Sequence, residues 1–358
     1  MSVTIGLPAH PLTRVRTRVS ERMLLGTLLG GALLVRLLGV WHGLPQVYNA
    51  DEELHFVPQA AGVADGHLDQ TYLENPSALT MLLAVVLRVI FVGRSVTGLL
   101  ATDPGAVFLV ARVVVALLGT LLTFVVYLAG RRFLSPAGGL VAGAVIGFAF
   151  LPVFYSHQAL NDVPTMLGIT LTLLAALRAY EVGGLRAFVL AGCAIGLATA
   201  TKYNAAPVAL VVVAAWALRW HAHPSERPTR STWWVRTRPL WLAALASLAV
   251  FVVLDPFFVL HLGSGLWQVT HEGSQAGEAK LGQSGSPEAF YPVSLLWGLG
   301  VVPTMLAVVG AVAGLRSRRV RTVLLLVFPL VLFAYVCTQG RYFGRWMLPA
   351  YPALAVLA

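Results

Sequence analysis

The sequence predicts an all-α protein that crosses a membrane many times. Its mean hydropathy is +0.78 over 358 residues, with 58% hydrophobic and 11% charged residues. Apolar runs recur, each near the ~20 residues a helix needs to cross a bilayer core. Basic residues gather in the short polar gaps between these runs, the pattern of cytoplasmic loops. That placement ties the net charge of +10 to membrane orientation rather than to nucleic acid. Cys193 and Cys337 both lie in apolar surroundings, which argues against a disulfide or a cysteine metal site.

Residues 1–22 form a basic N-terminal segment. The run after it has no small-residue cleavage site, so 23–41 reads as a retained first span. Further spans are expected near 107–130, 137–154, 163–180, 186–201, 204–220, 240–258, 293–315, 321–338 and 346–358, about ten in all. Run 78–100 is ambiguous, because it carries Arg88, Arg94, Gly93 and Gly98. Parity decides it. Arg14, Arg16, Arg18, Arg22, Arg131, Arg132, Arg178, Arg186, Arg219, Arg227, Arg230, Arg236, Arg238, Arg316, Arg318, Arg319 and Arg321 make 17 of the 25 Lys and Arg residues. They all face the cytoplasm only if 78–100 does not cross. It is therefore expected as a juxtamembrane or re-entrant helix within a large first outer loop, 42–106. A second outer loop, 259–292, is rich in Gly, Ser and Gln and reads as mobile. There is no internal repeat, and 23–358 reads as one membrane domain. The last run carries no basic flank, as in a shortened form of a longer protein.

With this topology Asp51, Glu52, Glu53, Asp65, Asp69, Glu74, Asp103, Asp162, Asp255, Glu272, Glu278 and Glu288 fall on the outer side. Only Glu21, Glu181 and Glu226 fall inside. Acidic residues contribute little to orientation, so this segregation points to work done on the outer face.

In "YNADEELHFVPQA", Asp51 suits the N-cap of a short helix starting at Glu52. A carboxylate at the membrane surface near arginines also suits a general base. Asp162, two residues before Pro164 and accompanied by His157 and Asn161, is either a helix cap or a functional acid at a span's edge. Arg36, Arg112, Lys202, Arg341 and Arg345 are cations on the side that the positive-inside rule disfavours. Each alone suits snorkelling. Together, in an acidic layer, they suit a phosphate. Asp51 and His55 share a helix face and could take a divalent metal, but no third ligand accompanies them. No P-loop, Rossmann, HExxH, CxxC or GxSxG motif is present, so no cofactor is implied with certainty.

An Arg in the first span followed by an Asp-Glu pair on the first outer loop resembles the GT-C membrane glycosyltransferases. Within that class the chain is similar to the protein O-mannosyltransferases and lipid A aminoarabinose transferases. The strings "ARVVVALLGTLLTFVVYLAGRRF", "HQALNDVPTMLGITLTLLAALR", "GLATATKYNAAPVAL" and "GRWMLPAYPALAVLA" carry the likeness in order. The resemblance implies an inverting enzyme of GT-C fold on the outer face of the plasma membrane. It would pass a sugar from a polyprenyl-phosphate carrier to a protein, glycan or lipid acceptor. Carried over, Asp51 would be the general base and Glu52 its neighbour in the motif. Asp162 would be the second acid, orienting the acceptor or a basic partner. Arg36, Arg112, Lys202 and Arg345 would hold the leaving carrier phosphate. His55, His157 and Asn161 would support them, and His271 would lie on a mobile loop covering the site. A transporter or flippase of a lipid-linked or anionic substrate is the main alternative, but it expects inverted repeats and mid-depth charges. A non-catalytic assembly subunit is a third reading.

Overall fold

The computed structural model describes residues 11–224, 233–283 and 285–358, with backbone alone for 11–20. Among the described residues every regular element is helical. α1 (Pro11–Leu37) leads through turns to a π-helical turn, Asp51–Phe56, which continues as α2 (Val57–Ala64). α3 (Ala78–Ile90) and α4 (Val96–Thr102) complete the first outer loop. α5 (Pro104–Phe133), α6 (Pro136–Phe148), α7 (Phe150–Ser156), α8 (Asp162–Val182) and α9 (Leu185–Thr201) follow. A 3₁₀ turn, Tyr203–Val208, runs into α10 (Ala209–Ala222). Then come α11 (Trp233–Leu254), α12 (Pro256–Leu260), α13 (Leu262–Ala276), α14 (Pro287–Gly298), α15 (Val301–Ser317) and α16 (Arg319–Cys337). A second 3₁₀ turn, Gly344–Ala350, ends in α17 (Tyr351–Leu357).

Local chemistry sets many of these boundaries. Asp103 accepts from the Ala106 N–H at 3.3 Å ahead of Pro104, and Ser135 accepts from the Gly138 N–H at 3.1 Å ahead of Pro136. A capping side chain followed by proline is a strong helix start.

The protein is a multi-span membrane fold, but with fewer uninterrupted spans than the ten expected. Five helical stretches among the described residues are long and apolar enough to cross: α5, α8, Tyr203–Ala222, α11 and α16. Counting the bent pairs α6–α7 and α14–α15 as one span each raises this to seven. The apolar windows 137–154 and 293–315 hide these bends, of 57° and 114°. Extended Ala149 breaks the first, and Gly300, at φ +111°, breaks the second. The expected span 186–201 is the 17-residue α9, about 25 Å long. Run 346–358 divides into a 3₁₀ turn and the seven-residue α17. The span at 23–41 stops as α1 at Leu37.

The segment 78–100 is not one continuous helix but α3 and the start of α4. α3 has 13 residues, about 20 Å of helix against a hydrocarbon core of about 30 Å. Leu79, Leu83 and Leu87 bury one face of α3 against Phe56, Ala60 and Ala61 of the preceding helical segment, while Val85 and Val89 are exposed. Asp65 ties this layer together, accepting from the Val96 and Thr97 N–H groups at 2.9 Å each. Within the second outer loop, 259–292, the main regular element is α13.

α5, α8 and α9 form the centre, with α6 against α5 and α11 against α9. A Cβ at Gly192 would strike the Ala243 carbonyl, and one at Gly196 that of Ser247. These glycines let the α9 and α11 backbones touch, the usual route to tight helix pairing where lipid weakens the hydrophobic drive.

Candidate active site

The π-helical turn sends two adjacent carboxylates in different directions. Such turns recur at functional sites because the extra residue per turn re-aims side chains. The N-cap residue is Ala50 and makes no side-chain bond; the Asp51 N–H instead donates to Asn49 Oδ1 at 3.0 Å. The capping expected of Asp51 is thus done by Asn49, and helical turning begins at Asp51 rather than Glu52. The Asp51 carboxylate is left to accept from Arg345 Nη1 at 2.9 Å, with both side chains part-exposed. Glu52 is fully buried. It accepts from Arg112 Nε at 2.7 Å, from Arg112 Nη2 at 2.9 Å and from the Ala159 N–H at 2.9 Å. Glu53 is exposed.

A second ion pair stands nearby. Lys202 Nζ donates to Asp162 Oδ1 at 2.7 Å. Asp162 is fully buried, and its Oδ2 has no partner among the described residues. Asp162 does not cap α8: Asn161 is the N-cap and makes no capping side-chain bond. Instead Asn161 Nδ2 donates to Asn75 Oδ1 at 2.8 Å and to the Thr201 carbonyl at 2.9 Å. Asp162 is close enough to act electrostatically on Arg345. Lys202, Asp162, Arg345 and Asp51 therefore form a row of alternating charge.

Lys202, Arg345 and Asp51 line a cavity of about 510 Å³, and Asp162 stands behind Lys202 outside that lining. Asp51, Glu74, Asn75, Asn161, Lys202 and Arg345 supply much of its polar lining. Ala206, Pro207, Leu332, Val336 and Trp346, with Tyr335, supply apolar and aromatic lining from the two 3₁₀ turns and α16. α13 closes one side with Val269, Glu272, Gly273 and Ala276.

Burial first, then the charges of Glu272 and Asp51, hold the Glu74 carboxyl above its usual 4.5, with His271 opposing. The folded chain thus binds this proton more tightly than the unfolded chain. The group's contribution to stability falls as pH rises through the shifted range. Glu74→Gln should therefore raise the melting temperature near neutral pH. The gain should fade as pH drops towards 4.5, which thermal melting in detergent checks.

Several expected site residues lie outside this cavity's lining. Arg36 is fully buried and donates to Ser156 Oγ at 3.1 Å and to the carbonyls of Ala32, Ile146 and Gly147 at 2.8–3.0 Å. It seals the carbonyls freed at the α6–α7 bend. Arg112 is occupied by Glu52 and by the carbonyls of Val40 and His42. His157 meets the Val35 carbonyl at 3.0 Å. Arg341 donates its N–H to the Ala276 carbonyl at 2.9 Å, joining the second 3₁₀ region to α13. His271 is exposed, stacked on Trp267, one residue from the cavity-lining Glu272. His55 stacks on Tyr72. Desolvation holds His55 below its usual value, with Asp51 opposing. Among the described residues no three His, Cys, Asp or Glu side chains converge as a metal site. Tyr72, Asn75 and Tyr203 line the cavity without having stood out in the sequence, and Glu74 and Glu272, marked there only among the outer-side acids, line it too.

Residues 96–254 match the family model described as dolichyl-phosphate-mannose-protein mannosyltransferase. No curated protein sequence matches the chain significantly. Among solved structures, ArnT from Cupriavidus metallidurans bound to undecaprenyl phosphate superimposes with a TM-score of 0.68 at 17% identity. The match covers 92% of this chain and 58% of ArnT. The apo Archaeoglobus fulgidus oligosaccharyltransferase gives a TM-score of 0.62 at 14% identity, over 94% of this chain and 50% of that one. A complex of the same archaeal enzyme with an inhibitory peptide and a dolichol-phosphate gives 0.59 at 14% identity, over 95% and 50%. The chain thus spans little more than half the length of the structures it matches. The chain shares the fold of these solved structures, and its middle is similar to the mannosyltransferase family model.

Proposed function

We propose that the chain is an inverting glycosyltransferase that moves a sugar from a polyprenyl-phosphate carrier to an acceptor hydroxyl on the outer face of the plasma membrane. The observation that carries this reading is the mixed lining of the cavity, where Asp51, Lys202 and Arg345 share the walls with apolar residues of the membrane helix α16. A phosphate joined to an isoprenoid tail has that same pairing of charge and apolar surface.

Lys202 and Arg345 would hold the carrier phosphate. Arg345 uses only Nη1 on Asp51 among the described residues, which leaves other donors of its fork for phosphate oxygens. Asp162 steadies Lys202 from the buried side. The acceptor oxygen attacks the anomeric carbon as its proton passes to Asp51. The bond from that carbon to the phosphate oxygen breaks, and its electron pair leaves on the phosphate. Fixed cations stabilise this developing charge without having to reorganise. Attack opposite the leaving oxygen inverts the anomeric carbon. Glu52 works through Arg112 as a scaffold for Asp51, and the acceptor can be a protein, a glycan or a lipid.

The decisive experiment is reconstitution of the full chain in vesicles with a labelled polyprenyl-phosphate sugar. Transfer or hydrolysis releasing polyprenyl phosphate supports the reading. Movement of the intact lipid across the bilayer without bond cleavage would replace it with a flippase.

The sidedness rests on the arginine distribution and on 1–22 being cytoplasmic ahead of a single membrane domain, 23–358. Arg94, exposed in the turn between α3 and α4, offers a check. An Arg94→Cys variant should react with a membrane-impermeant maleimide in intact cells. Labelling only after lysis would reverse the orientation.

A further inference from the structure

We propose that the Tyr72 ring is the platform on which the sugar of the donor rests by its C–H face, while Lys202 and Arg345 hold the phosphate. This rests on the reading of the cavity as a lipid-phosphate-sugar site.

Tyr72 lies on an irregular segment between α2 and α3 and lines the cavity. A tyrosine on such a segment is ordinarily free to turn, yet this one is held from several sides. The His55 ring lies flat against it, with centroids 3.8 Å apart and planes 4° from parallel. Asn75 Nδ2 donates to its hydroxyl oxygen at 2.7 Å. Gln268 of α13 grips the backbone on either side of it. The Gln268 amide oxygen accepts from the Leu73 N–H at 2.7 Å, and its Nε2 donates to the Thr71 carbonyl at 2.8 Å, as a neighbouring strand would.

The ring is therefore closed on one face and fixed at its hydroxyl before any ligand arrives. The electron-rich face of an aromatic ring attracts the weakly positive C–H groups of a sugar. A ring fixed in advance loses little further freedom on binding. Asp51, Glu74 and Glu272 are near enough to act electrostatically on Tyr72, so carboxylates stand beside the platform to accept from sugar hydroxyls. A bare phosphate, being an anion, would gain nothing from such a face. A sugar ring gains from it.

The test measures binding to the purified full chain in lipid nanodiscs. The probes are bare polyprenyl phosphate and polyprenyl phosphates carrying mannose, glucose or arabinose. The wild type should bind at least one sugar-loaded carrier more tightly than the bare carrier. Tyr72→Leu should weaken that carrier about tenfold and leave the bare carrier unchanged. Tyr72→Phe and Tyr72→Trp should retain the preference. His55→Phe should keep it, and His55→Ala should lose part of it. Equal weakening of both carriers by Tyr72→Leu would make the residue merely structural and overturn the platform. An unchanged preference in Tyr72→Leu would overturn it too. If the wild type binds no carrier at all, the failure lies with the proposed function, and the platform falls with it.

Discussion

Asp51→Asn should lower sugar transfer by about 10²- to 10⁴-fold, the range a positioned general base supplies, while the protein still folds. The substitution is nearly isosteric and removes the negative charge together with the ability to take a proton. Its structural cost is small, because the Asp51–Arg345 pair is part-exposed, at 30% and 24% for the two side chains. Pairs of that kind contribute at most about 1 kcal/mol. The melting temperature should therefore stay near that of the wild type. Transfer from a polyprenyl-phosphate sugar measures the other half of the expectation. Undiminished transfer in a folded Asp51→Asn protein would remove Asp51 from the reaction. Arg345→Lys should give a milder defect, since it keeps the charge and loses the fork.

Arg112→Met should cost about 3–5 kcal/mol of stability, because it leaves Glu52 charged, buried and unpaired. It also strips the donors from the Val40 and His42 carbonyls, where the chain leaves α1. Glu52 in turn holds the Ala159 N–H beyond α7. The pair therefore fastens three stretches of chain beneath Asp51. Glu52→Gln combined with Arg112→Met should recover part of the loss, since neither charge then remains buried. Thermal melting of the single and double variants in detergent gives the coupling directly. A single variant that melts like the wild type would show that this pair does not fasten the outer loop.

Much of this architecture was legible in the sequence, for identifiable physical reasons. Hydropathy marks where helices are apolar, and arginine spacing excluded a span at 78–100, where α3 is too short to cross. Hydropathy is blind to backbone breaks, so the bends at Ala149 and Gly300 were read as straight spans. Charge in an apolar chain did single out Asp51, Asp162, Lys202 and Arg345, which meet around the cavity although Asp51 and Arg345 lie 294 residues apart. The same signal singled out Arg36 and Arg112, because a sequence shows a charge and not its partner. Burial had already satisfied both, one on carbonyls and one on Glu52. Tyr72 and Asn75 carried no sequence signal, and Glu272 only that of one outer-side acid among twelve. Polar and aromatic residues are ordinary in outer loops, and only the fold brings these to one wall.

Arg36 also sets a timetable for synthesis. A guanidinium in a newly made helix is costly to release into lipid, up to about 2.5–3.5 kcal/mol at mid-depth and less in the last turn, where Arg36 sits. Its acceptor at the Gly147 carbonyl is made 111 residues later. At about 5–20 residues per second, that is a wait of roughly 6–20 s. The first helix must spend that interval beside the insertion machinery or in contact with water. Nascent chains stalled before the Ile146 and Gly147 carbonyls have left the ribosome should cross-link α1 to the translocation channel, and chains long enough to expose them should let it go.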